Sequence, residues 1–254
     1  LNYKITDWLS AFGRVSADTY NEYQEERRAV GSVPTTFGLD GATTESGYLK
    51  RKIDFKEYNY DFMLNINKNF GQNFNLKGIL GATQRTTNNS TQTDATNGGL
   101  AVPGIYSIQN SLGRLLFPTE VDSRIGVRGL YVSASLSYKS MLYLDATFRQ
   151  DYASTLPVKN AKYNYPSLTG AFIFSEVVKP SWLSFGKVRL NYAQVGNLAG
   201  YDQLLDHYVV GSPFNQALYL LSATKKNPDL KTREKWILIF SDCFHQEENS
   251  DKDL

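Results

Sequence analysis

The feature that most constrains this chain is a two-sided alternation between residues 130 and 157. Apolar side chains fall at every second position of 130–138, and the order resumes at 142–151 after Lys139-Ser140. The apolar positions are Leu130, Val132, Ala134, Leu136, Leu142, Leu144, Ala146 and Phe148. Because successive side chains of a strand point to opposite faces, the pattern predicts a β-hairpin with one apolar and one polar face. Soluble sandwiches and membrane barrels both show such alternation.

The connections between alternating segments are sorted by length. Similar alternation recurs at 5–20, 56–66, 74–85, 166–175 and 187–192. Short turns are predicted at 68–71, 139–140 and 177–181, and long polar loops at 20–49, 87–125 and 152–164. Because short and long connections alternate strictly, all short turns lie at one end of the sheet. Transmembrane β-barrels have this arrangement, whereas a sandwich has no reason to adopt it.

Composition excludes several other classes. The net charge is +2 and the lysines and arginines are scattered, so there is no electrostatic case for nucleic-acid binding. Mean hydropathy is −0.38, and no apolar run approaches the roughly 18 residues that a transmembrane helix needs. Aromatic residues make up 13% of the chain, with 17 Tyr, which suits either a membrane–water boundary or a carbohydrate-binding surface. The single Cys243 excludes an internal disulfide.

The end of the chain departs from this pattern. Residues 236–240 (WILIF) form a continuous apolar run, and the charged stretch that follows contains the single cysteine. We therefore expect two units: residues 1–232 as a partial barrel, and residues 233–254 as an anomalous tail. A frameshift or truncation near Thr232 would explain such a tail. The stretches 208–210 and 216–222 are expected to be short strands within a large loop.

A resemblance to a known family rests on four stretches. They are YLDATFRQDYASTLP at 143–157, NYPSLTGAFIFSE at 164–176, WLSFGKVRLNYAQVGN at 182–197 and NPDL at 227–230. In order and spacing they resemble the barrel region of the SusC/RagA family of TonB-dependent (TonB-linked) outer-membrane transporters. The likeness covers roughly residues 5–232 and is most specific at 143–197.

The resemblance implies a fold, a location and partners. The fold would be all-β, an antiparallel transmembrane barrel segment of about 7–9 up-and-down strands from a larger, roughly 22-stranded barrel. The plug, the TonB box and the remaining strands are expected to be absent from this chain, so that it should not transport alone. Family members import glycans or peptides across the cell outer membrane of Bacteroidota-like bacteria. Their partners are a SusD-like surface lipoprotein, the TonB-ExbB-ExbD complex and outer-membrane lipid.

Enzymatic chemistry finds little support in these residues. His207 in a loop and His245 in the tail have no nucleophile motif nearby, and both are expected at the surface. No metalloprotease, P-loop or dinucleotide-binding motif occurs. We therefore predict no catalytic, cofactor-binding or metal-binding residue and expect no cofactor.

Charged residues on the polar face of the hairpin admit two interpretations. Asp145 and Asp151 share one strand face and could be imagined as a glycosidase pair. On the barrel interpretation they instead join Arg149, Lys187 and Arg189 in a charge network that faces the lumen, where polar side chains are tolerated. The network is the favoured interpretation.

Two loop features could bind a ligand. The tract 87–99 is rich in Asn, Asp and Thr and could offer oxygens to Ca²⁺, but it lacks EF-hand spacing and is expected to be a flexible loop. Five tyrosines lie in or beside long loops, where they could stack on a sugar or form an interfacial girdle: Tyr106, Tyr163, Tyr165, Tyr201 and Tyr208. The girdle is favoured, and the residues that bind substrate are unknown from the sequence.

Two other functions stay open. One is a soluble β-rich carbohydrate-binding module, which would be monomeric without detergent. The other is an outer-membrane barrel enzyme, which would need a His or Ser constellation in the lumen or at its rim.

Overall fold

The computed structural model describes residues 1–32, 46–178, 183–211, 218–222 and 224–245. The strands are β1 (Asn2–Lys4), β2 (Leu9–Arg28), β3 (Gly47–Phe70), β4 (Phe74–Ala95), β5 (Thr119–Tyr138), β6 (Leu142–Ala153), β7 (Lys162–Ile173), β8 (Phe185–Asn197), β9 (Tyr208–Gly211), β10 (Leu218–Leu221) and β11 (Arg233–His245). The helices are single 3₁₀ turns at Ile108–Asn110, Val158–Asn160 and Phe174–Glu176. Over the described ranges, no helix is long and apolar enough to cross a membrane.

One antiparallel sheet contains most of the strands. Within the described part of the chain it has nine strands in the order β1-β2-β3-β4-β5-β6-β7-β8-β11, and it is not closed. Each of the first seven strands pairs with the next one along the chain, which is an up-and-down arrangement, and β8 pairs with β11. β9 and β10 form a separate two-stranded sheet, as expected for short strands in a large loop. The predicted all-β, antiparallel fold of seven to nine up-and-down strands is confirmed.

The predicted alternation gives the sheet two different faces. We call the face that carries Leu130 and Leu144 the outer face, and the face that carries Asp145 and Asp151 the inner face. Leu130 is 63% exposed and Leu144 48%, whereas Asp151 is only 7% exposed. The whole predicted apolar set, Leu130, Val132, Leu136, Leu142, Leu144 and Phe148, is exposed on the outer face. The assignment of the hairpin's two faces is confirmed.

Outer-face apolar side chains are stacked in rows. On β5 the rows run from Tyr138 to Leu130, and the register places Leu142 opposite Tyr138 and Gln150 opposite Leu130. We call these five rows the apolar band. Eight residues of strand span about 27 Å, or about 20 Å along the axis of a barrel whose strands tilt by about 40°. This height is close to the apolar band of about 25 Å typical of membrane barrels.

The short turns lie at one end of the apolar band. β3 and β4 are joined through Gly71, at φ +63°, and β5 and β6 through Lys139 and Ser140, at φ +48° and +55°. These left-handed conformations let the chain reverse within three residues. The turn predicted at 177–181 lies partly outside the described residues.

Two predicted long loops are wrong in extent. β2 continues to Arg28 and β3 begins at Gly47, and β4 pairs with β5 as far as Thr93↔Thr119. The polar tract, expected to be flexible, is therefore strand up to Ala95. Main-chain ladder bonds need no apolar side chains, and the threonines of this tract favour extended backbone. Four strands of 20 to 24 residues project beyond the apolar band on the side of the long connections.

The stretch after residue 232 does not leave the sheet at once. β11 pairs with β8 from Arg233↔Asn197 to His245↔Phe185. The expectation that the barrel pattern ends at residue 233 is wrong over this segment. The register places Trp236 and Leu238 on one face of the sheet and Ile237 on the other. Apolar residues on both faces hide that alternation in the sequence. The division at residue 232 and the loss of frame stay predictions.

Candidate functional site: a polar pocket on the inner face

The register brings inner-face residues of six strands into one row. The pairs run Arg14↔Asp61, Asp61↔Thr83, Thr83↔Gly129, Gly129↔Asp151 and Asp151↔Tyr163. We call this set the inner row. A second row beside it contains Gly81, Tyr131, Arg149 and Tyr165. Six strands thus supply one continuous polar surface, because each strand shows every second side chain to the inner face.

The first half of the inner row contains an ion pair between Arg14 and Asp61. Arg14 donates from Nε and Nη2 to Oδ2 of Asp61, at 2.9 and 2.6 Å. The other carboxylate oxygen of Asp61 accepts a bond of 2.8 Å from the hydroxyl of Thr83. Both oxygens are occupied, which offsets the cost of partly burying the charge.

The second half centres on Arg149 and Asp151. The Arg149 Nε lies 2.8 Å from Oδ1 of Asp151, and its guanidinium lies 5.5 Å from the centre of the Tyr131 ring. Two glycines make room for these side chains: a Cβ at Gly81 would overlap the Tyr131 ring, and one at Gly129 would overlap Asp151. The arginine is therefore held between a carboxylate and an aromatic face, an arrangement that fixes its orientation.

Two tyrosines of β7 extend this surface. The rings of Tyr163 and Tyr165 meet edge to face, with centroids 5.1 Å apart. Gly196 of β8 allows the contact, because a Cβ there would approach the Tyr165 ring to 2.7 Å. Tyr163 is only 4% exposed, so its ring is held by packing.

A pocket of about 430 Å³ opens where these groups meet. Its lining combines cations, amides and rings: Asn59, Arg85, Arg149, Tyr163, Tyr165 and Asn197 are among the residues that line it. Rigid aromatic rings supply contact area at a small entropic cost, while arginine and amide groups donate directed hydrogen bonds. This arrangement can bind a polar ligand with carboxylate, amide or hydroxyl groups.

Loop segments from two of the recognised sequence stretches meet beside the pocket. Leu156 and Tyr163 belong to a small buried cluster, and Leu198 and Leu230 pack against it. The side-chain amide of Asn160 donates to the carbonyl oxygens of Asp229 and Leu230, at 3.2 and 3.1 Å. The STLP and NPDL stretches, far apart in sequence, therefore form one roof beside the pocket.

The predicted charge network is correct only in part. Arg149 and Asp151 form their ion pair, but Asp145 accepts its bond from Ser135 instead. Lys187 pairs opposite Ile173, eight residues along β7 from Tyr165, which is roughly 26 Å. Arg189 pairs opposite Ala171, six residues from Tyr165 or roughly 20 Å, so including Lys187 and Arg189 in the network is wrong.

The alternative glycosidase pair does not have the required geometry. Asp145 and Asp151 are six residues apart on one strand, or roughly 20 Å. Catalytic carboxylate pairs of glycosidases are about 5–9.5 Å apart.

The five candidate tyrosines separate into two groups. Tyr163 and Tyr165 line the pocket, so the girdle interpretation is wrong for both, since they lie on the inner face. Tyr106 packs 6.4 Å from Tyr48 and beneath the guanidinium of Arg27, and so helps to hold its loop. The other two, Tyr201 and Tyr208, are exposed.

The predicted surface position of one histidine can be compared with the structure. The side chain of His207 is 49% exposed and lies 3.2 Å from Asp202, which Lys226 also contacts at 2.6 Å. The side chain of His245 lies outside the described residues. Over the part of the chain that the structure describes, no group of three or more His, Cys, Asp or Glu could hold a metal ion.

A second polar cluster stabilises the far end of β2. Glu25 accepts hydrogen bonds from the hydroxyls of Tyr48 and Tyr23, at 2.6 and 2.8 Å, and from Arg27 at 2.6 Å. The bond from Tyr48 is the largest cause, ahead of those from Tyr23 and Arg27, that lowers the pKa of Glu25 to about 2. The cluster lies beyond the apolar band and fastens the loop that carries Tyr106 to the strands.

Sequence reasoning missed several residues of the inner face. Asn59, Arg85 and Tyr131 each lie at an inner position of an alternating strand, and that signal was present in the sequence. Their convergence with Arg149 depends on registers between strands, and no local pattern fixes those registers.

Solved structures resemble this chain closely in fold. The "Structure of the RagAB peptide importer in the 'closed-closed' state" matches at TM-score 0.78 and 14% identity, over 96% of this chain and 27% of that one. The "Structure of the RagAB peptide transporter" matches at 0.77 and 14%, over 95% and 27%. The 'open-open' state of the importer matches at 0.76 and 14%, over 96% and 26%.

The likeness is one of fold. It confirms the resemblance to the SusC/RagA barrel that the sequence predicted, and the chain spans about a quarter of the matched structures' length, 26–27%. No protein-family model and no curated protein matches the sequence.

Proposed function

We propose that this chain is a segment of the barrel wall of a SusC/RagA-like, TonB-dependent transporter that imports a nutrient across the cell outer membrane. The observation that carries the proposal is the pair of unlike faces, an apolar band outside and a connected polar surface inside. Short turns at one end and long connections at the other match a membrane barrel. The fold likeness to an importer supports the same function.

A soluble module is the weaker alternative. Leu130 is 63% exposed, Phe62 53% and Leu168 50%, and all three belong to the apolar band. Soluble proteins rarely leave a contiguous apolar surface of this extent in water. A protein that stayed monomeric without detergent would contradict the membrane proposal.

The imported nutrient is a glycan or a peptide, and of these two substrate classes we propose the peptide. The pocket offers Arg85 and Arg149 to a carboxylate, and Asn59 and Asn197 to main-chain amides. The rings of its tyrosines would also accept a sugar face, so this chemistry alone admits both classes. The names of the matched structures, which describe peptide import, favour the peptide.

The transport cycle would depend on parts outside this chain. Nine strands cannot close a barrel of about 22 strands, so the segment alone should not transport. In the proposed cycle a SusD-like surface lipoprotein delivers substrate to the extracellular mouth. TonB, energised by ExbB and ExbD, then moves a plug so that the substrate passes the inner face. Uptake by liposomes that contain only this segment would contradict the proposal.

Uptake by whole cells tests the function. Deleting the gene of the full-length protein should abolish uptake of a labelled peptide pool or of labelled oligosaccharides, and a protonophore should do the same in wild-type cells. Tyr165→Ala should lower the uptake several-fold at equal surface abundance. The matched control is Tyr201→Ala, since Tyr201 is 46% exposed and does not line the pocket. Unchanged uptake of both substrate classes after deletion would refute the proposal.

A further inference from the structure

A groove of about 1020 Å³ lies on the outer face, at the end of the apolar band nearest the long connections. Two rows of outer-face side chains line it, and one of them alternates between large and small residues. Phe62 and Leu130 lie on either side of Ala82 in one row, with Tyr60 and Tyr152 in the next. The small residue creates the depression, and the exposed rings and leucine border it.

Two cations lie at the upper rim of this groove. Arg128 and Lys162 belong to one row, with Tyr152 between them: the register pairs Arg128↔Tyr152 and Tyr152↔Lys162. Their Cα atoms are therefore two strand spacings apart, about 10 Å, a gap that two long side chains can close around one anion. Both are exposed and line the groove.

Neither cation is neutralised by a carboxylate. Among the described residues, no ion pair involves Arg128 or Lys162. Along β5 the next acid on the outer face is Asp122, six residues further, which is about 20 Å. On β3 the corresponding acid is Asp54, in the same row as Asp122 through Ser90. A patch of positive charge therefore borders an apolar groove.

Cations at the opposite end of the apolar band are placed differently. Lys68 lies 4.9 Å from the Trp8 ring centre and 5.4 Å from that of Phe70, and Lys139 lies 5.4 Å from that of Tyr138. These lysines have aromatic partners within the chain. For Arg128 and Lys162 the structure gives no such ring contact among its described residues, and both face the groove.

We propose that this groove binds one phosphate-bearing lipid of the outer leaflet. The phosphate lies between Arg128 and Lys162, and an acyl chain runs along Phe62 and Leu130 over Ala82. The inference rests on the proposed function, because only a membrane barrel exposes this face to lipid, and the long connections place the groove at the cell-surface side. Basic groups at a membrane boundary attract anionic headgroups, and the groove adds the apolar contact that a free anion would not need.

Lipid binding to the full-length protein tests the inference. The protein is delipidated in a neutral detergent and titrated by native mass spectrometry with dioleoylphosphatidic acid, dioleoylphosphatidylcholine and inorganic phosphate in turn. Wild-type protein should bind phosphatidic acid much more tightly than phosphatidylcholine. The double variant R128Q/K162Q should bind phosphatidic acid about 30-fold more weakly, the loss expected for two cations at a membrane surface.

A matched double variant controls for net charge. Lys56 and Arg124 share an outer-face row four residues beyond Arg128, away from the groove. K56Q/R124Q should bind phosphatidic acid as wild type does. Equal affinity of R128Q/K162Q and wild type would overturn the inference, and so would displacement of the lipid by millimolar inorganic phosphate.

Vesicle flotation separates the two levels of the proposal. Wild type and both double variants should float with phospholipid vesicles. Flotation with equal lipid affinity in all three overturns the lipid site alone, while protein that fails to float overturns the membrane function and the lipid site with it.

Discussion

Arginine at the centre of the apolar band should destabilise the protein strongly. Ala134 lies on the outer face of β5, four residues from Tyr138 and four from Leu130, the two ends of the band. Four residues of tilted strand correspond to about 10 Å of depth. Ala134 therefore lies near the middle of the apolar layer, and the side chain opposite it, Ala146, offers no partner for a charge.

The expected magnitude follows from that depth. An arginine at the midplane of a bilayer costs a barrel about 2–4 kcal/mol, and the cost falls to about 0–1 near the interfaces. Ala134→Arg should lower the free energy of unfolding of the full-length protein by the larger amount. Guanidinium-induced unfolding in phospholipid vesicles, followed by tryptophan fluorescence, measures this change as a shift of the midpoint.

The neighbouring residue is the matched control. Ser133 precedes Ala134 on the same strand, but faces the inner side opposite Ile79 and Thr147. Ser133→Arg places the same charge at nearly the same depth in the polar interior, and should cost less than about 1 kcal/mol. Equal losses for the two variants, or a neutral Ala134→Arg, would refute the assignment of the faces.

Three further predictions concern separate parts of the molecule. The pKa of Glu25 in the folded protein is about 2, below the 4.5 of a free carboxyl, so the stabilisation by its charged form is present above pH 4.5 and lost as pH falls toward 2. Amide hydrogen exchange at the far end of β2 should report this loss of stability between pH 4.5 and 2, and Glu25→Gln should remove the pH dependence. Gly81→Ala should displace the Tyr131 ring and weaken binding in the pocket several-fold, whereas Gly170→Ala, with nothing within 4 Å, should leave affinity unchanged in calorimetry. Leu230→Ala should destabilise the loop roof by about 1–2 kcal/mol, less than a fully buried leucine, because Leu230 is half-buried; faster proteolysis at that roof would show it, and an unchanged rate would contradict it.

The two faces of the sheet could be predicted from the sequence because alternation is a local property. Leu144 and Asp145 belong to opposite faces wherever the strand lies, so the two faces of the hairpin can be assigned without tertiary information. The sorted connections likewise predicted the up-and-down order. Each inference needed only the geometry of an extended chain.

Other features depended on information that local patterns lack. Thr87 and Thr91 belong to a ladder beyond the apolar band, where no apolar position of β4 marks the strand. β11 was missed for the opposite reason, since Ile237 and Ile239 occupy inner positions that are usually polar in a barrel. Reading either segment correctly requires knowledge of its partner strand.

The pocket was the least predictable feature. The sequence predicts Arg149 and its partner Asp151 together, but it also groups them with Lys187, which lies on the same face roughly 26 Å along the strands. The register between strands decides which residues lie opposite one another. A shift of two residues leaves a side chain on the same face but changes all its neighbours on the adjacent strand.

Site-directed spin labelling along β6 tests the central claim most directly. In full-length protein with Cys243→Ser and no other cysteine, single cysteines at 142–151 are labelled in vesicles, and collision rates with oxygen and with a water-soluble nickel complex are compared. We predict a period of two, with oxygen favoured at Leu142, Leu144, Ala146 and Phe148 and nickel favoured at the residues between them. Equal accessibility to nickel at Leu144 and Asp145 would contradict a membrane-spanning strand and the function built on it.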